Sequence, residues 1–142
     1  MEAANRGASE AQGVSIGLGI SLPNEPTIND YITREMAFEF HYFFMRKFWF
    51  SYLAKAMVIM PGGFGALDEF MEVATLVQTG KVKRRLPFVL FGTEYWERVL
   101  DFGALVDFGT ISPGDPDLFF RTDSVDEAYE YLVRELTEHF LD

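Results

Sequence analysis

Cysteine is absent from the 142-residue sequence. That excludes disulfides, thiolate zinc sites and Cys nucleophiles together. Histidine is scarce: His41 and His139 lie far apart in the chain, a poor basis for a His-rich metal site, so no metal is expected. Positive charge is also scarce. Twelve Lys and Arg stand against 22 Asp and Glu, a formal net charge of −10. Tight nonspecific binding to DNA or RNA needs basic surface, so nucleic acid is not an expected partner. A small anionic ligand stays open, because one loop can hold it whatever the net charge. No stretch approaches the roughly 20 apolar residues of a membrane helix. Residues 1–13 carry Glu2, Arg6 and Glu10 and no apolar targeting core. The expectation is a soluble cytoplasmic protein with no membrane partner.

What is present is a core. Apolar residues make up 49% of the chain and aromatics 16%, including 15 Phe. A disordered chain would be poorer in both, and the length suits one domain over residues 1–142. Residues 2–12 read as a short helix closed by Gly13. Val14 to Leu22 reads as a strand ended by Pro23, and two glycines inside it suggest close approach by another backbone or a ligand. The aromatic run Phe38 to Phe44 alternates at first and reads as a second extended piece, followed by a helix from Arg46 to Lys55. Ala56 to Met60 reads as a strand buried on both faces. A helix is expected from about Ala66 to Thr79, a buried strand at Phe88–Phe91, and a helix from Thr93 to about Val106. Leu118–Arg121 reads as the last strand, and Asp123 or Ser124 as the cap of a final helix to about Phe140. Short apolar strands alternating with amphipathic helices imply an α/β fold with a parallel sheet. Ligands in such sheets bind at the carboxyl ends of the strands.

The most informative segment is Met60 to Glu69, MPGGFGALDE. A strand ends, three glycines follow and a helix begins. Glycines let a backbone approach a ligand closely. A helix start offers unpaired N–H groups and a positive dipole end. Together these suit an anion such as phosphate; a tight turn with no ligand is the bland alternative. Asp68 and Glu69 read either as dipole partners in the first helical turn or as groups acting on a ligand. Arg46 and Lys47 upstream could make phosphate or carboxylate contacts, or could be a solvated basic pair.

The segment Pro61-Gly62-Gly63-Phe64-Gly65-Ala66-Leu67-Asp68-Glu69, with Arg46-Lys47 before it, resembles the LOG-type (Lonely Guy) family. These are cytokinin riboside monophosphate phosphoribohydrolases and their bacterial "lysine decarboxylase-like" relatives. The family pattern is a PGGxGTxxE loop preceded by an Arg-Lys pair. MEAANRGA at the N-terminus, FMEVATLVQTGKV (70–82) and LPFVLFGTEYW (86–96) match the bacterial branch. The resemblance implies a Rossmann-like three-layer parallel sheet with helices on both faces. It also implies hydrolysis of the N-glycosidic bond of a nucleoside 5′-monophosphate, of the AMP or cytokinin riboside type, giving free base and ribose 5-phosphate. No cofactor is implied. Glu69 would stabilise an oxocarbenium-like ribose or orient water. Arg46 matches the catalytic Arg, and Lys47 would add positive charge at the ligand. Gly62, Gly63, Phe64, Gly65 and Ala66 would hold the 5′-phosphate. Asp68 and Thr75 match positions that contact substrate in relatives, and Glu25 a further one. Relatives are homodimers with active sites near the interface. The aromatic stretch Tyr42 to Tyr52 reads as core or as such a dimer face.

Two departures from the family pattern stand out. Ala66 replaces the motif Thr, whose hydroxyl would cap the helix and bond a phosphate oxygen, worth about 1 kcal/mol as a cap. The usual upstream βαβ segment and GGGPG loop have no counterpart before MEAANRGA, so the chain reads as N-terminally truncated relative to the family. In the strand order 3-2-1-4-5 this predicts a two-strand gap, with Val58 and Ile59 on an unpaired edge. A non-catalytic or degenerate nucleotide-binding protein is therefore the second reading. A pyridoxal-phosphate decarboxylase is the third, and would need a Schiff-base lysine among Lys47, Lys55, Lys81 and Lys83.

Overall fold

The computed structural model describes residues 2–21, 28–83 and 85–141. The chain divides into two compact units, Met1–Leu53 and Ala54–Asp142. Among the described residues both are α/β with parallel strands: a two-stranded sheet in the first and a three-stranded sheet in the second.

The first unit opens with α1 (Glu2–Glu10). The Gly13 N–H bonds Ala8 O at 2.8 Å and the Gln12 N–H bonds Ser9 O at 3.0 Å. This pair of bonds closes a helix around one left-handed residue. Gln12 takes that position, with φ 56°, and the expected cap Gly13 stands one residue beyond it. Asn5 is buried and ties α1 to the chain ahead, donating to Ser15 Oγ at 2.9 Å and to Ile16 O at 3.3 Å. β1 (Gly17–Ile20) and β2 (Ala37–Phe40) pair in parallel, Gly17 beside Ala37. A Cβ on Gly17 would stand 2.3 Å from Cδ1 of Ile32. The close neighbour expected at this strand is therefore a side chain of the same unit. Leu22, Pro23 and Glu25 lie outside the described residues.

The extended piece expected through Phe44 ends at Phe40, and α2 runs from Phe43 to Leu53. Aromatic side chains favour strands when read locally. Here the half-buried positions are Arg46, Lys47, Phe50 and Ser51, a helical spacing, while Phe43, Phe44 and Phe48 are exposed. Arg46 thus ends the first turn of α2 and Lys47 begins the second, rather than the pair opening the helix.

In the second unit β3 (Met57–Ile59), β4 (Phe88–Phe91) and β5 (Phe120–Thr122) pair in the order β3-β4-β5. β4 is central, and Phe88, Val89 and Leu90 are fully buried. Phe70 and Val73 of α3 (Phe64–Gln78) pack there with Trp96 of α4 (Thr93–Val99). The Phe70 ring lies 5.4 Å from Trp96, 5.4 Å from Phe119 and 6.1 Å from Phe102, centroid to centroid. This aromatic cluster is the core, and such rings contribute through edge and tilted contacts as well as buried area. β3 is less enclosed than expected: Met57 and Ile59 are buried, but Val58 is 44% exposed. Of the two residues expected on an open edge, only Val58 is exposed.

The long helix expected from Thr93 to Val106 is two helices, α4 and α5 (Phe102–Asp107). Asp101 breaks it, its carboxylate accepting from Ala104 N at 2.9 Å as a helix cap. Gly92, with φ 92°, caps α4 in place of Thr93. A 3₁₀ turn at Asp115–Leu118 delays the last strand by two residues. α6 (Val125–Phe140) begins at Ser124, whose hydroxyl accepts from Glu127 N at 3.3 Å. Among the described residues no helix is long and apolar enough to cross a membrane, and no group of three or more His, Asp or Glu could hold a metal.

Candidate functional site

The carboxyl ends of β3, β4 and β5 are joined by side-chain and backbone contacts. Gly92 N, after β4, donates to Thr122 O at the end of β5 at 3.1 Å. Thr93 donates to the Asp123 carboxylate from its backbone N at 2.8 Å and from its hydroxyl. These bonds, the hydroxyl's first, hold the exposed Asp123 carboxyl below the usual carboxylate range. Pro61, after β3, lies against Gly92, where a Cβ would stand 2.8 Å from Pro61 Cγ. Tyr95 donates its hydroxyl to Gly62 O.

The glycine-rich loop sits on this rim. A Cβ on Gly62 would meet the Ala66 methyl at 2.6 Å, so glycine is required there by the loop's own packing. Gly63 and Gly65 differ. A Cβ on either would meet nothing within 4 Å, and neither takes a positive φ. Neither crowding nor conformation in this chain calls for glycine at those positions; the space stays open to a ligand.

α3 starts at Phe64, two residues before the expected Ala66, with Gly63 as its cap. Gly63 supplies no side-chain acceptor, and the first turn carries no acidic residue. Helix geometry leaves the N–H groups of Phe64, Gly65 and Ala66 without intrahelical acceptors, and the Leu67 N–H is the first to be used, on Gly63 O at 3.1 Å. The positive end of the dipole is therefore left for an anion.

Ala66 lacks the hydroxyl of the motif Thr, yet its backbone N–H remains in the first turn. The Phe64 side chain is 92% exposed. Asp68 and Glu69 fall in the second turn rather than the first, which weakens the dipole explanation for both. Successive helical residues diverge by about 100°, and Asp68 is exposed while Glu69 is half-buried.

Thr75 lies about 16 Å along α3 from its start, at 1.5 Å per residue. Its hydroxyl bonds back to Met71 O at 2.7 Å. It lines a separate apolar cavity of about 100 Å³ with Phe70, Phe102 and Phe119, not the glycine loop. Arg46 and Lys47 belong to the first unit, half-buried on α2, and the Arg46 guanidinium lies 5.8 Å from the Phe43 ring centroid. Gly92 and Tyr95 carry the rim but were not singled out by sequence; Asp123, read there as a possible cap of the final helix, leaves that place to Ser124 and bonds Thr93 instead. The available signal was Gly-Thr directly after a buried strand, a turn with a free cap.

A sequence model of the family described as "Possible lysine decarboxylase" matches residues 1–132. The chain is also similar to cytokinin riboside 5′-monophosphate phosphoribohydrolase LOG7 of Arabidopsis thaliana, 34% identical over 87 residues. That match covers 61% of this chain and 38% of the relative. The chain thus spans well under two thirds of the length of the relative it matches. With nearly all of its length covered by the family model, and with the Pro61–Glu69 motif standing at a strand end and helix start, the chain belongs to this lysine decarboxylase-like, LOG-type family.

Proposed function

We propose that this protein hydrolyses the N-glycosidic bond of a nucleoside 5′-monophosphate of the AMP or cytokinin riboside type. The single observation that carries the reading is the open space at Gly63 and Gly65 beside uncapped N–H groups of α3. The 5′-phosphate would accept from those groups. Water adds to ribose C1′ as the C1′–N bond breaks, and the electron pair leaves with the base, which takes up a proton. Glu69 would stabilise the positive charge developing on the ribose, or orient the water. Arg46 would bind substrate or assist the departing base, with Lys47 adding positive charge. Asp68, exposed one residue before Glu69, would contact the substrate. α2 has no buried residue and exposes Phe43, Phe44, Phe48 and Tyr52, which supports a homodimer. A monomer by light scattering would count against that assembly.

The test is incubation with AMP, with ribose 5-phosphate and adenine quantified together. Wild type should release them in equal amounts. Glu69→Gln should lower turnover by about 10²–10⁴-fold, as loss of an acid–base group does, while keeping AMP affinity. AMP binding with no product from wild type would favour the non-catalytic reading, to which the missing hydroxyl at Ala66 points. A decarboxylase would need a Schiff-base lysine in a desolvated pocket. Lys55, Lys81 and Lys83 are exposed and Lys47 lies half-buried on α2, so the residues present do not fit pyridoxal phosphate.

A further inference from the structure

We infer that the β4–α4 turn sets the glycine loop for anion binding, and that Tyr95 is its positioning residue. The inference rests on the phosphate role proposed for that loop. Its basis is the hydrogen bond from the Tyr95 hydroxyl to Gly62 O, made across 33 positions of the chain. The Gly62–Gly63 peptide is trans, like every peptide among the described residues. In a trans peptide the C=O and the following N–H point in opposite directions in one plane. Holding the Gly62 carbonyl on Tyr95 therefore directs the Gly63 N–H away from Tyr95, to the other side of the loop. That is the N–H of the helix cap, next in line with those of Phe64, Gly65 and Ala66.

The same turn fixes the loop a second time. Pro61 rests against Gly92, where a side chain would not fit. Pro61 and the Gly62 carbonyl are thus both held by residues 92–95, and the Ala66 methyl leaves no room for a side chain on Gly62. The Tyr95 ring also packs edge-on against buried Trp96, 5.0 Å between centroids, which fixes where the hydroxyl stands. Tyr95 is half-buried and acts through the peptide, so it need not touch the ligand.

The test is Tyr95→Phe, which keeps the ring and removes the hydroxyl. Inorganic phosphate is titrated into ¹⁵N-labelled wild type and Y95F, following the Gly63 amide. The Gly63 resonance of ligand-free Y95F should be displaced from wild type, while amides of α6 stay in place. The phosphate Kd should rise about tenfold, the scale of one hydrogen bond lost. Coincident Gly63 resonances in the two ligand-free proteins, or an unchanged Kd, would overturn the inference. Displaced α6 amides would do the same, since the hydroxyl would then support the whole unit rather than the loop. A wild-type Gly63 amide that ignores both phosphate and AMP would instead sink the proposed function, and the ligand-free spectra alone would then decide whether Tyr95 sets the peptide.

Discussion

Pro61 closes over Gly92 so tightly that a Cβ on Gly92 would stand 2.8 Å from Pro61 Cγ. The glycine is needed twice, because its φ of 92° is also left-handed. Gly92→Ala must therefore move the loop and strain the backbone together. The expected cost is about 1–3 kcal/mol of stability, read by urea unfolding. Phosphate affinity should fall with it, since Pro61 carries the loop. A fully stable G92A protein would show that the turn gives way cheaply.

The glycine loop was legible in the sequence because glycine identity carries its own physical meaning, and Met60–Glu69 needed no tertiary information. β4 was legible for a similar reason: Phe88–Phe91 is apolar at every position. The break at Asp101 was written locally too, as a good capping residue inside an apolar pattern, but the amphipathic period on both sides masks it. The switch from strand to helix at Phe43 was not legible, because a run of aromatics fits both periods until burial is known. Least legible was Tyr95 on Gly62. A contact between residues 33 apart follows from the parallel pairing of β3 and β4, and from nothing near either residue.

At the other end of the second unit, Arg85 Nε meets Glu135 Oε2 at 2.6 Å. The two partners are not equivalent. The Glu135 side chain is 8% exposed and that of Arg85 59%. Removing Glu135 leaves a guanidinium that water can solvate; removing Arg85 leaves a buried carboxylate whose other ion-pair contacts, among the described residues, are the longer ones to Arg134 at 3.7 Å and His139 at 3.8 Å. Arg85→Ala should cost about 1–3 kcal/mol, and more than Glu135→Gln. Urea midpoints of the two variants check the order, and the reverse order would refute the burial argument.

Asp123 predicts an acid-sensitive rim. Its carboxyl is held below the usual range by the two Thr93 bonds. A group with a depressed folded pKa stabilises the fold above its unfolded value, about 3.9 for Asp. That contribution is lost as pH falls through the lower folded value. Asp123→Asn should thus melt below wild type near about pH 6, with the gap narrowing as pH falls below about 3.9 and the carboxyl takes up its proton. A gap that is the same at every pH would mean the charge on Asp123 plays no part.

Gly62 and Gly65 allow stability and binding to be separated within one loop. Gly62→Ala places a methyl 2.6 Å from that of Ala66, so the helix start must shift. Both stability and phosphate affinity should fall. At Gly65 the space is open and the backbone already helical. Alanine there removes flexibility from the unfolded chain and should raise stability, by up to about 1 kcal/mol. The same methyl would stand where the ligand must approach, so phosphate and AMP affinity should fall while the melting temperature holds or rises. A G65A protein that is both more stable and binds AMP as tightly as wild type would mean that the ligand does not approach at Gly65, and the phosphate role proposed for this part of the loop would fall.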